Sequence, residues 1–382
     1  MGSEPPLNIL LVTEGSGGHL IPALQVASTL AARGARIKVW FAERRQTAGL
    51  TQALTLEARH AGVEFDPIPV DASAGLISRL RQCSTLWRRA ERCFDSFSPD
   101  AVIGFGGWVS APVLLAAKRH GIRCLVHEQN VQLGKANRLL SRVVNRVAVS
   151  FTETQAQLKG ASSIVTGMPV RDGIGRLPRA EAARRLGLSP DRPTVLVLGG
   201  SQGARAINAA MAEAVKHLTP AEAASWQLVH VTGTADEDAV RALHATTGVA
   251  AWVGAYLADM DAAYALSDVA VARAGASTLA ELARCGLPAV LIPYPHAGGH
   301  QRANAHLIEA AGGGVLLEEA DASPERVLAA LRRLLGNAEA RAEMGERMRT
   351  LSAADAAERL TQAIVELAGH PAEALSSAHA AR

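Results

Sequence analysis

The sequence predicts an α/β protein with two doubly wound, Rossmann-like domains, each built on a parallel sheet. Its 382 residues suffice for two ordinary cores, since one domain typically takes roughly 100–200 residues. Apolar residues make up 48% and charged residues 20% of the chain, which excludes a disordered or collagen-like protein. A unit of apolar strand, glycine-rich turn and helix occurs near the N-terminus and again half a chain later, which indicates two similar domains.

The first unit begins with Asn8 to Thr13, an apolar run without alternation that predicts a strand buried on both faces. The glycine-rich turn Glu14 to His19 follows, and Ala23 to Gly34 predicts an amphipathic helix that ends at its glycine. Ile37 to Ala42 predicts the next strand. Together these elements form one βαβ unit of a parallel sheet.

Short apolar runs separated by helical periodicity continue this pattern and predict strands at 101–104, 124–127, 147–149 and 164–166. The stretch 170–193 is charged and carries spaced prolines, which indicates a domain boundary. We therefore expect an N-terminal domain of residues 1–171 and a C-terminal domain of residues 172–353, with the site in the cleft between them. The alanine- and serine-rich residues 371–382 are expected to form a disordered tail.

The second unit begins with Thr194 to Leu198, continues through the turn Gly199 to Ala204 and predicts a helix over Ile207 to Leu218. Bare backbone N–H groups in such a turn, together with the positive end of the helix dipole, favour a bound phosphate. A turn that needs glycine only for its backbone conformation is the alternative for either loop alone. The occurrence of two such loops favours phosphate binding.

Charge, cysteine content and hydropathy exclude several classes of protein. A net charge of +3 is too small to indicate wholesale nucleic-acid binding. The four cysteines lack C-x-x-C spacing, which argues against a disulfide framework or a zinc ribbon and favours a reducing cytoplasm. We expect no signal peptide, and no apolar run approaches the roughly 20 residues that span a bilayer. Any membrane contact is therefore expected to be peripheral.

Two acidic triplets, Asp236 to Asp238 and Asp259 to Asp261, imitate the D-x-D motif of metal-dependent transferases. Acids are also usual in the first turns of helices, which is the simpler interpretation. His296 and His300 are four residues apart in a segment that reads as a loop, and two ligands without a third do not make a zinc site. We therefore expect no metal site.

His19 follows the glycines of the first turn at the expected start of a helix, where the dipole favours a neutral imidazole that can accept a proton. It is the candidate general base, and a histidine that caps the helix is the alternative. The first turn has Leu20 in place of the third glycine of the dinucleotide fingerprint. An NAD-dependent oxidoreductase, in which Glu43 would hold a ribose, is therefore the weaker alternative function.

The segment Arg273 to Leu282 is a further candidate site for binding an anion. It begins with small and hydroxyl residues and continues as a helix, whose first N–H groups have no partner within the helix. Glu281 lies about one turn inside, near enough to accept hydrogen bonds from a ribose. A capping pair of Glu281 with Ser277 or Thr278 is the alternative.

The stretch Leu76 to Arg92 carries five arginines against one glutamate, interleaved with leucine and tryptophan. It predicts a basic amphipathic helix that can lie on an anionic lipid surface. A core-facing helix with a solvated basic rim is an equally good interpretation. The side chains expected to contact lipid are Arg79, Arg81, Trp87, Arg88 and Arg89.

Five motifs, in order and with similar spacing, resemble the MurG family of glycosyltransferases (family 28). They are GSGGH (15–19), GFGGWVSAP (104–112), HEQN (127–130), GGSQGA (199–204) and RAGASTLAE (273–281). The resemblance spans residues 8 to about 310. It implies a GT-B fold with the acceptor held mainly by the N-terminal domain and the UDP-sugar mainly by the C-terminal domain. It also implies a final helix, near 354–367, that packs back on the N-terminal domain.

The resemblance further implies an inverting transfer of N-acetylglucosamine from UDP-N-acetylglucosamine to the C4 hydroxyl of the muramyl sugar of lipid I. The product would be lipid II, for peptidoglycan synthesis, cell shape and cell division. The enzyme would be peripheral, on the cytoplasmic face of the inner membrane, and would need no cofactor. His19 would be the base.

The same resemblance implies which residues bind the substrates. The donor would contact Ser16, Gly17, Gly18, Asn130, Arg171, Ser201, Leu257, Ala276, Ser277, Thr278, Leu279, Ala280, Glu281 and Gln301. Among these, Glu281 would bind the ribose, Ser201 the phosphates, the Leu257 backbone the uracil and Gln301 the sugar hydroxyls. The acceptor side would include Gly106, Gly107, Trp108 and Glu128.

The sequence departs from the family pattern at Glu14 in place of glycine, Ser16 in place of threonine, Trp108 in place of tyrosine and Met168 in place of asparagine. A carboxylate at position 14 would repel a diphosphate unless it is turned away or paired. The changes at Glu14 and Trp108 keep open a transferase with another lipid-linked acceptor. A catalytically silent scaffold is a further alternative.

Overall fold

The computed structural model describes residues 6–15, 17–43, 62–70, 75–200 and 203–369. The chain divides into two compact units, one of residues 1–171 with 355–382 and one of residues 172–354. The expected tail at 371–382 lies outside the described residues.

The first unit is a seven-stranded parallel sheet with helices on its faces. Its strands are β1 (Asn8–Glu14), β2 (Arg36–Glu43), β3 (Glu64–Pro69), β4 (Ala101–Gly104), β5 (Arg123–Glu128), β6 (Arg146–Val149) and β7 (Ser163–Val165), in the order β3-β2-β1-β4-β5-β6-β7. Its helices are α1 (Gly17–Ala32), α2 (Leu76–Phe97), α3 (Ser110–Arg119), α4 (Lys135–Leu140) and α5 (Thr152–Gln155), with α15 (Ala356–Leu367) from the end of the chain.

The second unit is a six-stranded parallel sheet of the same kind. Its strands are β8 (Thr194–Leu198), β9 (Gln227–Val231), β10 (Ala250–Gly254), β11 (Val269–Ala272), β12 (Ala289–Leu291) and β13 (Gly314–Leu316), in the order β10-β9-β8-β11-β12-β13. Its helices are α6 (Arg179–Leu186), α7 (Arg205–Lys216), α8 (Pro220–Ser225), α9 (Glu237–Thr247), α10 (Met260–Leu266), α11 (Ala276–Cys285), α12 (His300–Ala310), α13 (Pro324–Leu335) and α14 (Ala338–Thr350), with a short 3₁₀ turn at Glu319–Asp321.

The apolar runs of the sequence become the central strands. β1 and β8 are buried along almost their whole length, because helices cover both faces of each parallel sheet. The edge strand β3 is additional to the predicted strands. It contains Pro67 and Pro69, which are tolerated at a sheet edge but obscure a strand pattern in the sequence.

Helix α1 begins at Gly17, earlier than the periodicity from Ala23 predicted, because the glycines of the turn themselves form its first turn. His19 therefore lies inside that first turn. The helix is followed by Gly34, whose φ of 83° is in the left-handed region that commonly ends helices.

Both sheets reverse their direction of winding beside their first strand. β1 has β2 on one side and β4 on the other, and β8 has β9 and β11 in the same way. At such a reversal, the connections leave the carboxyl ends of neighbouring strands in opposite directions, and ligands bind in the crevice that opens there. Each unit therefore presents one candidate binding edge.

The last helix, α15, belongs to the core of the first unit. Leu360 and Ile364 are fully buried in the same apolar cluster as Ile9 of β1. At its end, the Glu366 carboxylate lies 3.2 Å from the Arg146 guanidinium. The contact joins the last helix to β6 through charge as well as packing.

Three histidines are buried in these cores. Burial lowers the pKa of His127 in the first unit to about 4. In the second unit, burial lowers the pKa of His230 to about 3 and that of His244 to about 4. Their rings lie 3.0 Å apart, from His230 Nδ1 to His244 Nε2, and His230 Nε2 lies 3.1 Å from the Asn208 Oδ1 acceptor. All three rings are therefore neutral near pH 7.

We expect acid to destabilise the protein between pH 6.5 and pH 4. The unfolded chain protonates these histidines near pH 6.5 while the folded chain keeps them neutral, so the unfolded state binds more protons as pH falls. At pH 5 each histidine should lower the free energy of unfolding by about 2 kcal/mol, as measured by urea titration at pH 7.5 and pH 5.

The matched variant is His244→Gln, which keeps an N–H donor for His230 but does not titrate. It should lose about 2 kcal/mol less between the two pH values than the parent. An equal loss in both proteins would contradict the assignment to the histidine pair.

Candidate functional site

The binding edge of the first unit is formed by the turns that follow β1 and β4. The first turn leads into α1 at Gly17 and Gly18, whose N–H groups belong to the first turn of the helix and have no partner within it. Ser16, predicted to bind the donor, lies outside the described residues. His19 is half-buried at the same helix end.

The turn after β4 holds two glycines in the left-handed region, Gly106 with φ 88° and Gly107 with φ 79°. Ser110 fixes this turn, because its hydroxyl donates to the Gly106 carbonyl at 2.8 Å and lies 3.2 Å from the Val12 carbonyl of β1. The predicted acceptor-side residue Trp108 follows and is half-buried. The two turns are thus held side by side.

Glu14 and Gly107 are in direct contact. Glu14 is buried, with 8% of its surface exposed, and a Cβ at Gly107 would overlap the Glu14 side chain. The carboxylate is therefore tucked against the backbone of the neighbouring turn. Glycine is required at position 107 both for its conformation and for this close approach.

The Glu128 carboxylate holds the loop that follows β5. Its Oε1 accepts hydrogen bonds from the Asn130 backbone and side-chain amides at 2.9 and 3.2 Å. Its Oε2 accepts from the Gly134 backbone at 2.9 Å and from the Asn137 side chain at 2.8 Å. Glu128, predicted on the acceptor side, thus shapes the loop that presents Asn130.

Gln129, between these two predicted residues, was missed by the sequence analysis. It is 2% exposed, and its side-chain amide donates to the Phe105 carbonyl at 2.9 Å. The same nitrogen lies 3.3 Å from His127 Nδ1. The available signal was its place directly after β5, at the carboxyl edge of the sheet, but only the folded chain shows that it is buried beside the candidate base.

The binding edge of the second unit is formed by the turns after β8 and β11. Within the first, Gly200 and Gly203 have φ of 88° and 77°, and a Cβ at Gly203 would overlap the Thr232 carbonyl oxygen. The turn thus passes directly over the end of β9 and leads into α7. Ser201, predicted to bind the phosphates, lies outside the described residues.

Asn208 ties this turn to the buried histidine pair. Its side-chain amide donates to the Thr232 carbonyl at 2.8 Å and to the Asp236 carboxylate at 2.9 Å, while its oxygen faces His230. Asp236 is therefore engaged at the start of α9, and Asp259 caps α10 by accepting from the Ala262 backbone at 3.2 Å. Both acidic triplets lie at the starts of helices, which agrees with their interpretation as acids in first helical turns.

The turn after β11 leads into α11, at whose start Ala276, Ser277 and Thr278 carry N–H groups without partners in the helix. Ser277 Oγ is buried and has no hydrogen-bond partner among the described residues. Ala280 is half-buried further along the helix. Leu279 is 1% exposed in the core, and its N–H donates to the Gly275 carbonyl at 2.9 Å. The Leu279 side chain therefore packs in the core of the second unit.

Glu281 is buried at 6% exposure one turn into α11, where the Tyr264 hydroxyl donates to its Oε2 at 2.7 Å. Of the other predicted donor residues, Leu257 is buried in the loop after β10. Gln301 is half-buried in the first turn of α12, where its Oε1 accepts from the Tyr294 backbone at 3.0 Å. Arg171 is half-buried at the end of the first unit's continuous segment.

Helix α2 has two different halves. Its C-terminal half packs into the core through buried residues such as Leu86 and Phe94. Its N-terminal half exposes Ile77 at 70% and Leu80 at 62%, and Leu139 of α4 is exposed at 57%. The C-terminal half therefore agrees with the core-facing interpretation, and the N-terminal half exposes apolar side chains. No helix in the described part of the chain is long and apolar enough to cross a bilayer.

An apolar groove of about 720 Å³ runs along α2 near these exposed side chains. Its walls include Trp87, Arg88, Trp108, Leu115 and Leu139. The groove is bounded by α2, α3 and α4 of the first unit.

Arg89 lies away from this surface. Its guanidinium stacks 4.7 Å from the centre of the Trp40 ring, lies 3.7 Å from the Asp66 carboxylate and donates to the Pro67 carbonyl at 3.2 Å. These interactions hold Arg89, one of the side chains predicted to contact lipid, against β2 and β3.

Comparison with known proteins shows that all five motifs lie within regions that match one protein family. The glycosyltransferase family 28 N-terminal domain model matches residues 9–149, and the C-terminal domain model matches residues 194–360. A Syntrophotalea carbinolica protein is 36% identical over 375 residues, covering 95% of this chain and 99% of its own. A Frankia casuarinae protein is 39% identical over 345 residues, covering 88% and 89%. Both are named UDP-N-acetylglucosamine--N-acetylmuramyl-(pentapeptide) pyrophosphoryl-undecaprenol N-acetylglucosamine transferase.

Solved structures with a similar fold agree with this family assignment. The crystal structure of Acinetobacter baumannii MurG has a TM-score of 0.74 and 27% identity, covering 95% of this chain and 100% of its own. A UDP-GlcNAc 2-epimerase from Neisseria meningitidis, at 12% identity and a TM-score of 0.71, covers 94% and 100% and shares the fold alone. The predicted GT-B fold with two Rossmann-like sheets is confirmed.

The contact between Glu14 and Gly107 allows us to predict how substitution of this glycine changes the free energy of unfolding. Gly160→Ala introduces a side chain at φ 74° with nothing within 4 Å, so it should cost only about 1 kcal/mol. Gly107→Ala should cost clearly more, because its Cβ also overlaps Glu14. Urea unfolding at pH 7.5 measures both.

The double variant Gly107→Ala with Glu14→Gly removes the overlap but keeps the unfavourable φ. It should recover the excess cost and return to about the loss seen in Gly160→Ala. If Glu14→Gly restores nothing, the close approach is not the source of the cost.

Proposed function

Because the chain belongs to glycosyltransferase family 28, we propose that it transfers N-acetylglucosamine from UDP-N-acetylglucosamine to the muramyl sugar of lipid I, which yields lipid II for peptidoglycan synthesis. The observation that carries this proposal is its similarity, over nearly the full length of both chains, to transferases of that name. Four of the five motifs lie at the carboxyl ends of β1, β4, β8 and β11, and the motif at 127–130 lies at the carboxyl end of β5. Ligands of such sheets usually bind at these ends.

The second unit binds the nucleotide in this proposal. The starts of α7 and α11 present N–H groups and positive dipole ends, which stabilise the two phosphates and the negative charge that grows on departing UDP. Glu281 accepts from the ribose hydroxyls, and Tyr264 holds its carboxylate in place. Ser277 Oγ, buried without a partner in the described chain, is a further group for the nucleotide.

The remaining donor contacts follow the family pattern. The backbone beside Leu257 binds the uracil, and Gln301 binds the sugar hydroxyls through the amide nitrogen that its bond to Tyr294 leaves available. Asn130, held by Glu128, and Arg171 complete the set from the first unit. These assignments use polar groups that the fold holds in fixed places.

The first unit supplies the base. His19 removes the proton of the C4 hydroxyl, and the oxygen attacks the anomeric carbon while the bond from that carbon to the UDP oxygen breaks. The configuration inverts, because attack and departure occur on opposite faces. Gly106 and Gly107 provide a surface without side chains on which the acceptor lies, and Gly17 and Gly18 contact the donor.

The N-terminal half of α2 and the nearby α4 bind the membrane that carries the acceptor. Ile77, Leu80 and Leu139 are exposed apolar side chains, and the arginines Arg79, Arg81 and Arg88 around them are exposed as well. Such a surface inserts apolar groups into the headgroup region while arginines bind anionic lipid. We place it on the cytoplasmic face of the membrane.

Turnover with a lipid I analogue and labelled UDP-sugars tests the reaction. His19→Ala should lower kcat by roughly 10²- to 10⁴-fold, because it removes the base, and leave KM for UDP-N-acetylglucosamine nearly unchanged. Glu281→Ala should raise that KM by roughly 10- to 100-fold through loss of charge-assisted hydrogen bonds. Glu339→Ala, at an exposed acid of α14, is the control and should match the parent.

Two results would contradict this assignment. Product formed only from another UDP-sugar would exclude the donor, and unchanged turnover in both site variants would exclude the stated roles.

The membrane surface makes a separate prediction. Replacing Ile77 and Leu80 together by serine should weaken binding to vesicles with anionic lipid by roughly 10- to 100-fold, because apolar area is lost from the bilayer contact. Turnover of a water-soluble acceptor should stay at the parental rate. Vesicle co-sedimentation measures binding.

The matched control exchanges the two side chains, Ile77→Leu with Leu80→Ile, and keeps the apolar area. It should bind as the parent does. Equal weakening in both double variants would show that shape at these positions, rather than apolar contact with lipid, is responsible.

A further inference from the structure

Gln129 is a buried amide with one unsatisfied atom. Its side chain is 2% exposed, and its Oε1 is buried without a hydrogen-bond partner among the described residues. Buried polar atoms in folded proteins are nearly always paired, and the exceptions often lie where a function needs them. The surroundings of this oxygen therefore indicate what it is for.

The neighbouring histidine fixes the orientation of the amide. His127 is neutral, and its Nε2 lies 3.1 Å from the Gly167 carbonyl oxygen, so that nitrogen carries the hydrogen. Nδ1 is then an acceptor and takes a hydrogen bond from Gln129 Nε2 at 3.3 Å. The second hydrogen of Nε2 goes to the Phe105 carbonyl at 2.9 Å. If the amide were flipped, its oxygen would face two acceptors, His127 Nδ1 and the Phe105 carbonyl. Oε1 must therefore point away from both.

The oxygen points toward the candidate base. A Cβ on Gly106 would lie 3.5 Å from Gln129 Oε1 and 3.2 Å from His19 Nε2. Both atoms therefore border the same small space beside the Gly106 α-carbon. Glycine at this position, with φ 88°, leaves that space unfilled.

We propose that Gln129 is a positioning residue for His19: its Oε1 accepts the hydrogen on His19 Nε2 as the imidazole takes the acceptor's proton on Nδ1. A small tilt of the ring toward Gly106 completes this hydrogen bond. The inference rests on the proposed role of His19 as base. In this arrangement His19 donates to Gln129, Gln129 donates to His127, and His127 donates to the Gly167 carbonyl.

The chemistry explains why the oxygen is kept unpaired. The acceptor hydroxyl gives its proton to Nδ1 while Nε2 keeps its own, so the ring becomes a cation with two donors. A hydrogen bond from a charged donor is stronger than one from a neutral ring. Gln129 therefore stabilises the form of His19 that develops in the transition state more than the resting form.

The titratable groups on the packed strand ends are Glu14 of β1 and His127 and Glu128 of β5. His127 stays neutral, and Glu128 is held by four hydrogen bonds within its own loop. Glu14 packs against Gly107. Gln129 adds a neutral acceptor to these surroundings.

The test is a double-mutant cycle of Gln129→Met and His19→Ala with the lipid I analogue. Gln129→Met keeps the length of the side chain but removes the acceptor. It should lower kcat by roughly 10- to 100-fold with KM for UDP-N-acetylglucosamine within about twofold. It should also move the acid limb of the kcat profile, and the NMR titration of His19, to lower pH. In the His19→Ala background the same change should alter kcat by less than about twofold.

The outcomes separate the two proposals. An equal loss from Gln129→Met in both backgrounds, with the acid limb unmoved, would overturn the positioning role while leaving His19 as base. Parental turnover in His19→Ala alone would overturn the role of His19 and this inference with it. If Gln129→Met does not fold, Gln129→Asn keeps an amide in the core but withdraws its oxygen, and the same cycle applies.

Discussion

The site depends on close approaches to glycine backbone, by a side chain in the first unit and by a carbonyl group in the second. At the carboxyl edge of the first sheet, Gly107 lies against the Glu14 side chain; at the corresponding edge of the second, Gly203 lies over the Thr232 carbonyl. Any side chain at these two glycines would force the turns apart. The turns lie beside strands β1 and β8, where each sheet reverses its winding, so helix starts and bare N–H groups gather at those edges.

Buried polar groups behind these turns keep them rigid. The Glu128 carboxylate accepts four hydrogen bonds, from the loop after β5 and from Asn137 of α4. Asn208 links the second glycine turn to a pair of neutral histidines. Such groups are costly to bury unless paired, so each network has one favourable arrangement. Gln129 is the informative exception, because one of its atoms is left unpaired beside His19.

The two halves of helix α2 in the first unit have different surroundings. The C-terminal half of α2 packs in the core, and its N-terminal half exposes Ile77 and Leu80 beside arginines. Periodicity alone describes both halves equally well, because the whole helix is amphipathic. Arg89, which belongs to the same basic run, stacks on Trp40.

The sequence by itself determined the fold class, the central strands and the family, because buried parallel strands and glycine turns leave local patterns that need no knowledge of distant residues. It identified no strand at β3, whose prolines suit an edge strand, or at β9 to β13. Only the tertiary structure decided that Leu279 is core, that Glu128 holds its own loop and that Gln129 faces His19. The physical reason is that burial and hydrogen-bond partners are set by residues far apart in the chain, which spacing along a motif does not encode.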